Sequence, residues 1–178
     1  MMSIVVLFWM YVILFAIIGA MRGWAKELLV TFSVILALAI NHVLRRFVPI
    51  AQPQNLPDND INLFWVRIIV LAVLVYFGYQ TVISIQHLAN RAVRERFQDT
   101  FVGALVGAFN GYLIAGSVLY YMHVADYPFS RFVTRPTDPA VANTVAQMMK
   151  YMPPELLGDP GIYFAIILAF VFVIIVYV

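Results

Sequence analysis

The chain contains no cysteine, and this absence removes three kinds of chemistry. A disulfide, a thiolate metal site and a thiol nucleophile all require cysteine, so none of them can form here. Charge is scarce as well, since Asp, Glu, Lys and Arg make up 11% of the 178 residues, against about a quarter in soluble domains. The basic residues occur in short clusters between apolar stretches instead of on one basic face, so nucleic acid is not expected as a partner.

Apolar residues are in excess, at 63% of the chain. A soluble domain of this length could not bury that much apolar surface without leaving large exposed patches. In a lipid bilayer the same surface is favourable, and helices satisfy their own backbone hydrogen bonds there. We therefore expect an all-α membrane protein whose main partner is the lipid bilayer.

Four apolar runs are long enough to cross a bilayer as helices. An 18-residue helix rises about 27 Å, close to the hydrocarbon thickness of about 30 Å. The predicted helices cover about 3–20, 28–44, 63–85 and 101–122, and residues 1–122 form a four-helix transmembrane unit. The first run is not expected to be a cleaved signal peptide, because no charge precedes it.

Residues 123–160 contain most of the prolines and many charges, and we predict that they lie outside the membrane. Asp138 followed by Pro139 is typical of a helix start, so a short amphipathic helix is predicted over 139–152. Its polar face carries a single lysine, which favours packing on the bundle over binding to lipid. The apolar residues 161–178 predict a fifth, C-terminal transmembrane helix.

The fourth run carries Gly103, Gly107 and Gly111 at a regular spacing of four residues. This spacing places the three glycines on one face of a helix, where the backbone of another helix can approach closely. We expect this face to be a helix-packing surface. The alternative is that the glycine face lines a narrow pore.

Asn110 lies near the middle of the fourth run, beside the glycine face. An unsatisfied polar group in hydrocarbon costs several kcal/mol, so its amide should form hydrogen bonds to a neighbouring helix. If the third helix lies alongside, the candidate partners are Gln80, Thr81 and Ser84. A structural bond is favoured over a contact to a substrate.

Two charged residues at the ends of predicted helices have local interpretations. Arg67 lies close to the start of the third run, where its long side chain can reach the headgroups and anchor the helix. Asp99 precedes the fourth run, where its carboxylate can cap the new helix. Beyond Ile85 the helical pattern continues, so the third helix is expected to project out of the membrane.

The sequence contains no recognised catalytic motif. Its histidines, His42, His87 and His123, lie far apart in the sequence, and Ser117 has no evident base. We therefore predict that the chain is not an enzyme, with no catalytic residue, no cofactor and no metal site. No carboxylate falls in the middle of a predicted span, which argues against an ion-coupled transporter working alone.

Two segments resemble the colicin V production protein (CvpA) family. MRGWAKEL at 21–28 resembles its R-G-aromatic-x-basic-E signature, and DTFVGALVGAFNG at 99–111 resembles its D-x-x-apolar-G-x-x-x-G-x-x-x-G motif in the fourth helix. The order of the helices agrees over 1–122, about two thirds of the chain. Asn110 departs from the pattern, because many relatives have Arg there. The matching residues are Arg22, Gly23, Lys26, Glu27, Asp99, Gly103, Gly107 and Gly111.

The resemblance implies a noncatalytic bacterial inner-membrane protein. Its implied role lies in toxin production or export, or in envelope maintenance, through membrane-protein partners or a homo-oligomer. The charges at 22–27 are expected in a solvated turn, with a docking point for a cytoplasmic partner as the alternative. A small oligomeric channel or transporter component, whose path is lined by the glycine face and Asn110, is the second functional hypothesis, and a membrane-embedded hydrolase using Ser117 is the third.

The orientation in the membrane is not decided by charge. Positive residues are nearly balanced between the two sets of loops, so the positive-inside rule favours neither direction. Some relatives in the family carry an extracytoplasmic protease domain after the fourth helix, which implies an N-terminus outside the cytoplasm. We adopt that orientation as a hypothesis, with residues 123–160 on the outer side.

Overall fold

The structure is a computed structural model that describes residues 4–80, 96–129, 133 and 135–177. All regular structure in these residues is helical, which confirms the predicted all-α class. A 3₁₀ turn, Pro49–Ala51, follows the second helix. The α-helices are α1 (Ile4–Arg22), α2 (Trp24–Phe47), α3 (Ile61–Gln80), α4 (Arg96–Val124), α5 (Pro139–Met149), α6 (Pro153–Leu156) and α7 (Gly161–Tyr177).

Four of these helices, α1 to α4, are long and apolar enough to cross a membrane. Large apolar side chains remain on their outer surfaces, as Trp9, Ile13 and Ile69 illustrate, and lipid is the environment in which such a surface is stable. The chain is therefore a multi-pass membrane protein. The apolar helix α7 is shorter, at 17 residues, and its role as a fifth span stays a prediction, as do the unit boundaries at 122 and 160.

Several helix boundaries differ from the prediction. α2 begins at Trp24, four residues before the predicted start, and the described part of α4 already begins at Arg96. Charged residues were taken as the edges of helices, but a helical backbone continues past the apolar run that crosses the lipid. The predicted end of α3 at Ile85 and its projection beyond lie outside the described residues.

The short helix α5 begins as predicted and ends early. Asp138 caps it by accepting a hydrogen bond from the Ala140 amide at 2.8 Å, which confirms the predicted helix start. The helix ends at Met149 instead of residue 152. The buried side chains of Val145, Met149 and Met152 pack in one apolar cluster with residues from the last turns of α4.

The bundle is organised around α2, which contacts α3, α4 and α7, whereas α1 packs along most of α4. The bundle has two ends, named here the turn end and the loop end. The turn end contains Gly23, which joins α1 to α2, together with the last residues of α3 and the first of α4. The loop end contains residues 48–60, the last turn of α4, α6 and the start of α7.

Candidate functional site: a buried polar network at the turn end

Gly23 and Asp99 meet where α1 turns into α2. Gly23 has a φ of +85°, a conformation that favours glycine, and a Cβ added there would lie 2.7 Å from Oδ2 of Asp99. Oδ1 of Asp99 accepts a hydrogen bond from the amide of Trp24 at 3.2 Å. The backbone conformation therefore favours a glycine at position 23, and a Cβ there would displace the Asp99 carboxylate from the start of α2.

The prediction that Asp99 caps its own helix is wrong, because α4 already runs through this residue. The carboxylate instead serves α2, whose N-cap residue, Gly23, has no side chain that could accept from the first amides. An acceptor with negative charge at a helix N-terminus stabilises the free N–H groups there. Asp99 thus caps α2 from a different helix.

Substitution of Asp99 by alanine should lower the free energy of unfolding by about 1 kcal/mol, because the α2 amide loses its acceptor. Reversible denaturant unfolding in detergent micelles measures this change. Asp99→Asn keeps an acceptor and should lose less. Gln98→Ala, at the exposed neighbouring position, is the matched control, and equal effects of Asp99→Ala and Gln98→Ala would rule out the capping role.

Glu27 is fully buried, with no exposed surface. Its Oε1 lies 2.9 Å from Nη1 of Arg22, and its Oε2 accepts from Nδ2 of Asn110 at 2.8 Å. The prediction of a solvated turn is therefore wrong for Glu27. The adjacent residue, Lys26, is exposed. Because α2 begins before this residue, Glu27 points into the bundle from the first turn of the helix.

Asn110 is fully buried and bonded through both ends of its amide. Besides the Glu27 carboxylate, Nδ2 donates to the backbone carbonyl of Glu27 at 2.8 Å, and Oδ1 accepts from the hydroxyl of Thr31 at 2.6 Å. The predicted hydrogen bond to a neighbouring helix is confirmed, and the partners that the structure describes belong to α2 and not to α3. Of the predicted partners, Thr81 and Ser84 lie outside the described residues.

Arg22 extends the network to α3. Its Nη2 donates to the backbone carbonyl of Tyr79 at 3.2 Å, and its guanidinium lies 4.2 Å from the centre of the Tyr79 ring. A cation over an aromatic face is attracted by the ring quadrupole. We define the buried polar network as Arg22, Glu27, Thr31, Tyr79 and Asn110, which joins all four long helices.

Sequence reasoning missed Thr31 and Tyr79. Thr31 lies four residues after Glu27, so the two share a face of α2, and this spacing was a usable signal. Tyr79 offered no such signal, because its contact with Arg22 depends on how α1 and α3 are placed in space.

The glycine face of α4 lies against α1. A Cβ added at Gly107 would lie 2.8 Å from Cα of Gly19, and one added at Gly111 would lie 2.9 Å from Cα of Val12. A Cβ at Gly103 would lie 3.1 Å from Cα of Gly23. Since α1 covers this face, a path along it would require α1 and α4 to separate.

Two further candidate residues are placed in structural contacts. Ser117 is fully buried, and its hydroxyl donates to the carbonyl of Leu113 at 2.6 Å, so a substrate cannot reach it in this state. Arg67 binds Asp58 at 2.7 Å, with only 11% of its side chain exposed. The guanidinium of Arg67 thus has a protein partner at the position where a headgroup contact was expected.

One of three comparisons with known proteins found a match. The family model described as "Colicin V production protein" matches residues 4–136, which include α1 to α4 and both segments that meet at the turn end. A search of curated proteins and a search of solved structures each found no match. Because the family model covers well over half of the chain, the protein belongs to the colicin V production protein family.

Proposed function

We propose that this chain is a noncatalytic protein of the bacterial inner membrane that acts through partner proteins, in toxin production or export or in envelope maintenance. The observation that supports this proposal is the pairing of Glu27 with Arg22 and Asn110 inside the buried polar network. Glu27 and Asn110 have no exposed surface and bind each other, so the polar groups of the two family segments are used to hold helices together. Their chemistry supports a structural function.

Lys26 is exposed, and within the part of the chain that the structure describes it has no ion pair, so this residue of the signature can meet a partner protein. It lies next to the buried Glu27, on a turn fixed by the Arg22–Glu27 ion pair and by the Asp99 cap. A binding group that is already held in position loses less conformational freedom on association. We infer that Lys26 is a docking point for an acidic surface of a partner on this side of the membrane.

The proposed orientation places the turn end in the cytoplasm and the loop end outside. A phosphatase fused at residue 140 should then be active in the periplasm, and a cytoplasm-dependent reporter at the same position should be inactive. The reverse pair of activities would overturn the orientation and would place Lys26 outside.

Charge reversal at Lys26 tests the partner hypothesis. In toxin-exporting bacteria that lack the native chain, wild-type protein should restore export and envelope integrity, whereas Lys26→Glu should not, at equal protein levels in the membrane. Lys150→Glu changes another exposed lysine at the loop end and is the matched control. A photo-crosslinker at position 26, but not at 150, should capture one reproducible partner. Full activity of Lys26→Glu would reject the docking point.

A second candidate function is a small oligomeric channel or transporter component. The buried carboxylate of Glu27 favours it, because ionisable groups inside membrane bundles often mark ion pathways. Purified protein in liposomes distinguishes the two functions. Solute or ion flux that is lost in Asn110→Leu would support transport, and the absence of flux from folded protein would favour the partner hypothesis.

A further inference from the structure

A second polar region lies at the loop end, away from the buried polar network. A partly open cavity of about 140 Å³ is enclosed there by α2, α3, α4 and the segment that leads from α6 into α7. Leu157 and Ile162 form part of the apolar wall of the cavity. The polar residues of its wall are Asn41, His42, Arg45, Arg67, Tyr120 and Tyr121.

The charges of the cavity wall are cationic. Arg45 and Arg67 line the cavity, and no carboxylate is among its described lining residues. The two guanidinium groups share one oxygen of a single carboxylate, Oδ1 of Asp58, at 2.8 and 2.7 Å. Only 15% and 11% of the two arginine side chains are exposed, so one carboxylate faces two largely buried positive charges.

Two other carboxylates lie at the exposed rim with partners of their own. Glu155 accepts a hydrogen bond from the hydroxyl of Tyr120 at 2.6 Å. Asp159 binds Arg46 and lies 4.0 Å from Nε2 of His42. Arg46 pairs with Asp159, whereas Arg45 and Arg67 share Asp58, so the inner wall has one positive charge more than its carboxylate, and Glu155 remains a negative charge at the rim.

Arg67 retains hydrogen-bond donors. One terminal nitrogen binds Asp58, and the guanidinium stacks over the ring of Tyr121 at 5.3 Å from its centre, which fixes its plane. Among the described residues, its other N–H groups have no acceptor. A guanidinium with free donors in a fixed plane matches the oxygens of a phosphate or carboxylate.

Two buried atoms of wall residues have no hydrogen-bond partner among the described residues, Oδ1 of Asn41 and Nε2 of His42. Asn41 is only 6% exposed, and its amide nitrogen is already used by the Arg67 carbonyl and the Tyr121 hydroxyl. An unpaired buried acceptor such as Asn41 Oδ1 favours a ligand that brings a hydroxyl donor. The wall therefore combines cationic donors with an unused acceptor.

We propose that this cavity binds a glycerol phosphate group, with the phosphate on the Arg67 side and a hydroxyl towards Asn41. Phosphate is the favoured anion because the cavity lies at the loop ends of the candidate spans α2, α3 and α4, and spanning helices reach the phosphate-bearing headgroups at their ends. The group can come from the headgroup of phosphatidylglycerol or from free glycerol phosphate, which share this chemistry.

The test measures the binding of two probes, free glycerol 3-phosphate and a phospholipid, to the purified protein. Free glycerol 3-phosphate is titrated in detergent, and lipid retention is measured by native mass spectrometry after transfer from nanodiscs of phosphatidylglycerol or phosphatidylcholine. Arg67→Gln should weaken binding at least about tenfold, the effect of losing a charged hydrogen bond. Arg46→Gln, an exposed arginine outside the cavity wall, should change binding less than about twofold and is the matched control.

Leu157→Trp keeps every charge and fills the cavity, so it tests the site even if Arg67→Gln fails to fold. The folded Leu157→Trp protein should lose binding to the same extent. Retention of phosphatidylglycerol alone would identify the lipid headgroup as the source, and binding of free glycerol 3-phosphate would identify a soluble ligand. Binding of neither probe, or equal losses in Arg46→Gln and Arg67→Gln, would overturn the proposal.

Discussion

Glu27→Leu should lower the free energy of unfolding by about 3 kcal/mol, because removing one partner of a buried ion pair leaves the other charge uncompensated. The value lies at the lower end for buried pairs, since the Arg22 side chain keeps 21% of its surface exposed. Asn110 would also lose its carboxylate acceptor. Denaturant unfolding in micelles, followed by helical circular dichroism, measures the change.

Lys26→Leu provides the matched control, with the same substitution at the adjacent exposed charge. It should change stability by less than about 0.5 kcal/mol. Glu27→Gln keeps a hydrogen-bond acceptor for Asn110 and should fall between the two. If Glu27→Leu and Lys26→Leu had the same effect, Glu27 would not hold the bundle together.

Gly107→Leu should also be severely destabilising, by about 3 kcal/mol or more, because α1 and α4 would have to move apart. Even a Cβ at this position would lie 2.8 Å from Cα of Gly19, which is backbone and cannot rotate away. In lipid, helices are held by van der Waals contact, so separation removes the main attraction between them. A cysteine pair placed across α1 and α4 should crosslink less efficiently in the variant.

Leu105, on the lipid-facing side of the same helix, provides the control. Leu105→Phe adds volume at an exposed position and should leave stability within about 0.5 kcal/mol. Gly107→Ala should lie between this variant and Gly107→Leu, at about 1–3 kcal/mol. A loss that did not increase from alanine to leucine would contradict close packing at this face.

The class of fold was predictable because lipid imposes a simple rule on sequence. Each spanning helix needs about 20 apolar residues, and the four long runs satisfy this rule without any knowledge of their neighbours. The same reasoning misplaced the start of α2. Glu27 was assigned to a solvated turn because a charge was taken as the edge of the helix, and its burial depends on Asn110, which is 83 residues away.

The partners of Asn110 and Asp99 could not be predicted from local pattern. Both residues were expected to act on sequence neighbours or on α3, whereas both bind α2. Which helices are adjacent is decided by three-dimensional packing, and the spacing of polar residues does not contain that information. The cavity at the loop end was missed for the same reason, since its wall combines residues from positions 38 to 162.

The order in which the helices are synthesised differs from the order in which they pack against one another. α1 is made first, yet its main contact is α4. The side of α1 that packs on the glycines of α4 therefore has no partner until α2 and α3 have also been made. Arg22, five residues away, is available to Glu27 as soon as α2 is made, whereas Asn110 lies 83 residues later in the chain. The bond between Glu27 and Asn110 can therefore form only after α4 has been made, so α4 supplies the last partner of this carboxylate.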